Sequence, residues 1–119
     1  MQLDAFMRGM DDPDLKYSDD ERYEIITHMI TDRSTKSHCT KTMEECAELQ
    51  VELSKQIHAQ GNIMHLLEEM ADVYISLWLI QEVFTISQDE IDKAIDVKLK
   101  RNEFRHQARK EKREHAVEG

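Results

Sequence analysis

The chain has 119 residues, a formal charge of −9, 39% hydrophobic and 34% charged residues, three Gly and one Pro. That length bounds it to one domain burying about two-thirds of its unfolded surface, and the acidic balance excludes non-specific attraction to nucleic acid or anionic lipid as its default behaviour. There is no signal-peptide pattern and no apolar run of membrane-spanning length, so a soluble, cytoplasmic protein is expected.

Residues 1–17 carry a short amphipathic patch, Leu3, Phe6, Met7 and Met10, before Asp11-Asp12-Pro13-Asp14 stops any helix. This predicts an N-terminal arm, either mobile or a short helix packing on a neighbouring subunit. Ser18 with Glu21 then forms a capping box, and Tyr23, Ile25, Ile26, Met29 and Ile30 drive a first amphipathic helix to about Asp32. The link Ser34-Thr35-Lys36-Ser37 caps a second helix, expected from about Ser37 to Ala59 and stopped by Gly61. Its apolar side is Cys39, Met43, Cys46, Leu53 and Ile57, while Glu45, Glu48 and Glu52 form a stripe elsewhere on it, with Glu44 close by. Cys39 and Cys46 lie about 10 Å apart along such a helix, too far for a disulfide, and read as reduced thiols.

Asn62 caps the central helix, which runs to Phe84 without Pro or Gly. Apolar residues cover it almost completely between Val73 and Ile80, the pattern of a helix buried on most sides. Yet His65, Glu69, Asp72 and Ser76 follow at spacings of four, three and four, one polar stripe along that rod. Carboxylates there need an Arg, a Lys or a metal as partner, because an unpaired desolvated carboxylate costs several kcal/mol. Ser87 and Glu90 open a last helix on Ile91, Ala94, Ile95 and Leu99, beyond which the apolar residues thin out to Phe104 and Ala108 and the Lys/Arg/Glu-rich tail is expected as a fraying, solvated helix. Short links imply antiparallel neighbours. The expectation is an all-α, four-helix antiparallel bundle: an arm over 1–17, one helical domain over 18–113 and a tail over 114–119. Trp78, Leu79, Ile80 and Val83 present more apolar surface than three partners cover, so a homodimer or homotetramer is expected.

Glu45 and Glu48 on one helix, and Glu69 and Asp72 on another, each stand at i, i+3. Two such helices side by side bring four carboxylates together, and without a cation some of them take up protons. Hard divalent cations suit an all-oxygen donor set, Mg²⁺ or Mn²⁺ above all. Read singly, each pair is also what a solvated helix face looks like; the pair on the apolar central helix is the more informative.

Glu44-Glu45-Cys46-Ala47-Glu48-Leu49, followed by Glu68-Glu69-Met70-Ala71-Asp72-Val73, resembles the EExxE…ExxD signature of the MazG-like, all-α nucleoside triphosphate pyrophosphohydrolases. The resemblance spans roughly Cys39 to Arg105. It implies that Glu45, Glu48, Glu69 and Asp72 hold Mg²⁺. It also implies that basic residues of the last helix, here Lys98, Arg101 and Arg105 with Asn102 on the same face, meet a triphosphate. Glu48, and next Glu44, is the candidate to orient or deprotonate the attacking water. The implied reaction releases pyrophosphate and leaves a (deoxy)nucleoside monophosphate. Where the family often carries Gln, this chain has Cys39. Two other readings stand beside it: a non-enzymatic helical oligomer or adaptor whose acidic stripes pair with a partner's Lys and Arg, and a nucleic-acid-associated protein using the tail from Arg101 to Arg113. Interleaved acidic residues and few aromatics put the last behind the others.

Overall fold

Helix-forming sequence separated by good caps dictates the architecture. The computed structural model describes residues 3–118 and is all-helical, with no strand among them. The elements are α1 (Leu3–Met10), α2 (Asp19–Thr31), α3 (Thr35–Ile57), α4 (Ile63–Val83) and α5 (Gln88–Glu118). Met1 and Gln2 of the expected arm and Gly119 of the tail lie outside the described residues. Within the arm, Leu3–Met10 forms the short helix α1, which lies against α4 of the same chain and ends before Asp-Asp-Pro as its sequence requires.

The caps explain the boundaries. At the start of α2 the Ser18 hydroxyl accepts from the Glu21 amide at 3.1 Å while the Glu21 carboxylate accepts from the Ser18 amide at 3.0 Å, a complete capping box. That hydrogen bonding holds the Glu21 carboxyl below its ordinary pKa. Ser34 accepts from the Ser37 amide at 3.1 Å, so α3 starts two residues before the expected Ser37. Asn62 accepts from the Met64 amide at 2.8 Å and starts α4, and Ser87 with Glu90 rebuilds the capping box ahead of α5. The turn out of α3 is made by Ala59 in the left-handed region (φ 55°), where Gly is the usual residue. Gly61, the expected stop, serves close packing instead: a Cβ there would run into the Gln56 side chain.

The chain divides into two compact units, Met1–Thr85 and Ile86–Gly119. In the first, α4 is the hub: α3 packs along it most extensively, and α1 and α2 also lie against it. Its interior inverts the expectation. Ile26 and Leu79 are the buried large apolar residues of the described chain, whereas His38, Glu45, Glu52, Glu68 and Ser76 are all buried. Much of the side of α3 expected to face inward faces out, with Met43 72% and Ile57 81% exposed, while Cys39 and Cys46 on that side are half-buried. Nor is α4 buried on most sides, since Tyr74 and Leu77 are exposed. Trp78, Ile80 and Val83 are only half-buried and Leu79 is buried; the strongly exposed apolar residues of α4 are others, Ile63 and Tyr74 among them. The reason is that α3 and α4 meet along their polar stripes, which leaves their hydrocarbon on the outside. The second unit is the single 31-residue helix α5, none of whose described residues is buried. It runs on past Leu99 to Glu118 as the solvated helix expected there, because Lys, Arg, Glu, Gln and Ala are strong helix formers and no Gly or Pro intervenes before Gly119.

Candidate metal centre

The α3–α4 seam brings together the four carboxylates that the spacing singled out. Glu45, Glu48, Glu69 and Asp72 each offer an oxygen, and these atoms all lie within 4.8 Å of one another. Residues three apart on each helix project the same way, so antiparallel α3 and α4 present two carboxylates each to one point. Glu45 is buried, Glu69 and Asp72 are half-buried, and Glu48 is the exposed member. His65 on the same stripe is not part of the cluster.

Electrostatics make this a strained arrangement without a cation. Burial pushes the Glu69 carboxyl up to about 7, helped by the negative charges of Glu48 and Asp72. Asp72 is also raised, by burial first and then by Glu45, Glu68 and Glu48, with Lys41 opposing. One oxygen of Glu45 and one of Glu69 (Oε2 in each) are buried without a hydrogen-bond partner. Buried acceptors left unpaired are costly, and two of them within a set of converging carboxylates are what a cation would satisfy. Opposite oxygens on a hexacoordinate Mg²⁺ lie about 4.2 Å apart, so a small side-chain rotation would close this set on one ion. An all-carboxylate donor set suits a hard divalent cation; on these grounds the residues fit a metal ion, whose identity the donors narrow to the oxygen-loving class.

Two features escaped the sequence reading. Lys41, one turn before Glu45, lies 3.0 Å from Glu45 Oε1 and 3.7 Å from Glu44 Oε2, and its hydrogen bond to Glu45 raises its pKa. The readable signal was a Lys at i−4 from a motif carboxylate. A cavity of about 320 Å³ adjoins the cluster, lined by Glu45 and Asp72 together with Met29, His38, Lys41 and Ser76 among others. His38 is fixed on its wall by a 3.1 Å hydrogen bond between Nε2 and the Ile30 carbonyl, tying the start of α3 to the end of α2.

Glu44 lies apart from the quartet, its side chain 58% exposed and paired with Lys41. Lys98, Arg101, Asn102 and Arg105 are on α5, in the second unit, and all are exposed. Among the described residues no helix is long and apolar enough to cross a membrane, and Cys39 and Cys46 are free thiols. No protein-family model, curated protein or solved structure matches the chain.

Proposed function

We propose that this chain is a metal-dependent nucleoside triphosphate pyrophosphohydrolase of the MazG-like, helical-bundle kind. The observation that carries the proposal is the convergence of Glu45, Glu48, Glu69 and Asp72 at one point, partly desolvated and without sufficient cationic charge of their own. Mg²⁺ or Mn²⁺ held there would neutralise phosphate charge and lower the pKa of a coordinated water. Glu45, buried, and Glu69 and Asp72, half-buried, are proposed as the anchors. Glu48, the exposed member of the set, is proposed to take the proton of the attacking water ahead of Glu44, which pairs with Lys41 outside the quartet. Water attacks within the triphosphate, a phosphoric anhydride bond breaks, pyrophosphate leaves, and a nucleoside monophosphate remains.

The cavity beside Glu45 and Asp72 is the natural seat for the nucleoside end. It offers apolar walls from Met29, Ile75 and Leu79 and polar groups from His38, Thr42 and Ser76. Lys98, Arg101, Asn102 and Arg105 are proposed to meet the phosphates. In this reading the protein is a cytoplasmic homodimer or homotetramer. Exposed Met43, Val51, Ile57, Ile63, Leu67 and Tyr74 support self-association, since so much hydrocarbon on α3 and α4 is unusual for a monomer. Light scattering should return two or four copies; a monodisperse monomer at micromolar concentration would remove the oligomer from the reading.

The function itself is tested by screening common and modified (deoxy)nucleoside triphosphates for Mg²⁺- or Mn²⁺-dependent pyrophosphate release. Release from at least one of them is expected. Silence across the panel, with no saturable thermal stabilisation by either metal, would leave the helical adaptor as the better account.

A further inference from the structure

The ammonium of Lys41 touches two places at once. It is bound to Oε1 of Glu45, a member of the carboxylate quartet, at 3.0 Å, and it lines the cavity of about 320 Å³ that Glu45 and Asp72 also line. It borders a second groove as well, of about 310 Å³, where Arg33 and Lys36 accompany it. Its partner is nearly buried, with a side chain 9% exposed, whereas Lys41 itself is 46% exposed and has room to move. The other oxygen of Glu45 is buried and unpartnered, so one carboxylate of the quartet is already half-committed to a cation that the chain supplies.

We infer that Lys41 is an exchangeable counter-ion: its ammonium holds Glu45 while the quartet lacks a metal ion, and it turns to an anionic oxygen of an oligophosphate in the adjoining cavity once a divalent cation has taken Glu45. The identity of the anion rests on the pyrophosphohydrolase reading; the exchange at Glu45 does not. Three physical points support it. Lys41 is half exposed, so water can solvate its ammonium as it leaves, while the incoming cation takes over compensation of the nearly buried Glu45 carboxylate. A divalent cation at Glu45 repels the ammonium beside it, so metal and Lys41 compete for the same carboxylate. Lysine is a compact charge on a flexible stem, suited to leaving one oxygen for another a few ångströms away, and Arg33 on the same cavity wall adds a second positive charge for an arriving anion. The net-negative chain gains, in the metal-loaded state, a cation aimed at substrate.

The exchange predicts shifts of opposite sign in one variant. Mn²⁺ titrated into metal-free Lys41→Met should bind at least as tightly as to wild type, because no ammonium competes for Glu45. Mn²⁺–tripolyphosphate should bind the same variant about ten- to a hundred-fold more weakly, the loss of one charge-assisted hydrogen bond. Lys41→Arg, which keeps the charge, should lie between the two on both readouts. Weakening of Mn²⁺ and tripolyphosphate together would make Lys41 a support for Glu45 and overturn the exchange, as would an unchanged tripolyphosphate affinity. Should wild type release no pyrophosphate from any nucleotide while the opposed shifts are seen, the hydrolase reading falls and the exchange stands. Should nucleotides be hydrolysed without those shifts, the exchange alone falls.

Discussion

The α3–α4 seam and helix α5 both carry acidic residues at helical spacing and put them to opposite use. Along the seam, Glu45, Glu52 and Glu68 are buried while Met43, Ile57 and Tyr74 are exposed; along α5, acidic and basic residues alike stand in solvent. Burying a carboxylate costs free energy that a solvated one does not, so the seam's charges must be compensated, whereas those of α5 need no account. A Glu-x-x-Glu spacing is the same text in both settings. What separates a candidate site from a hydrophilic face is desolvation together with convergence, and the Glu69 carboxyl, held near 7 by burial and its neighbours, records both.

The largest effect expected from this contrast is at the seam. Glu69→Ala or Asp72→Ala should reduce metal-dependent pyrophosphate release to background while the helical fold survives, because each removes one of four converging ligands. In chelator-treated buffer the same variants should melt at or above the wild-type temperature, since a like-charge contact in a desolvated place is relieved. Turnover near the wild-type rate in either variant would sink the assignment. A marked loss of metal-free stability would mean that the carboxylates hold the helices together, not an ion.

Helix α5 offers the complementary comparison within one helix. If Arg105 meets a phosphate, Arg105→Ala removes a charge-assisted hydrogen bond worth about 1.5–3 kcal/mol, or roughly ten- to a hundred-fold in kcat/KM. Lys112, two turns further on, should change it less than about twofold when replaced, as a solvated charge does. Steady-state kinetics of the two variants decide the matter without knowledge of the preferred base. Equal, small effects would make the whole of α5 a solvated face and leave phosphate recognition to Lys41 and Arg33.

Much of this was legible in the residues, and the misses have physical causes. The caps at Ser18, Asn62 and Ser87 were readable because each is a local hydrogen-bonding device spanning two or three residues. The quartet was readable because i, i+3 spacing fixes direction on a helix. The inward face of α3 was not: hydrophobic periodicity says that a face is covered, but not by what, and here the apolar face is left outward while the acidic stripe meets α4. Lys41 was missed because a surface Lys four residues from a Glu is the commonest of helical pairs; only the burial of Glu45 gives it weight. The cavity depends on α2 and the His38–Ile30 link, a contact across eight residues that no periodicity encodes.

The smallest effect is the one that reads the seam's strain most directly. Glu69 titrates near 7 in the folded chain against about 4.5 for a free carboxyl. A group with its folded pKa raised favours folding when protonated, so that its contribution is fully present below about 4.5 and is lost as pH rises through about 7. Asp72 is raised as well and acts with the same sign. Metal-free protein should therefore melt a few °C lower at about pH 8 than at about pH 5, and Glu69→Gln, which cannot ionise, should flatten that slope. The fully ionised quartet is also the form that binds a cation best, so stabilisation by Mn²⁺ should grow over the same interval, being largest where the metal-free chain is weakest. Glu103→Gln and Glu111→Gln, at exposed positions of α5, are the control variants. A metal-free melting temperature that stays level or climbs through this interval, or a slope that survives Glu69→Gln and follows the α5 carboxylates instead, would place the titrating charge elsewhere and erase the distinction between the two regions.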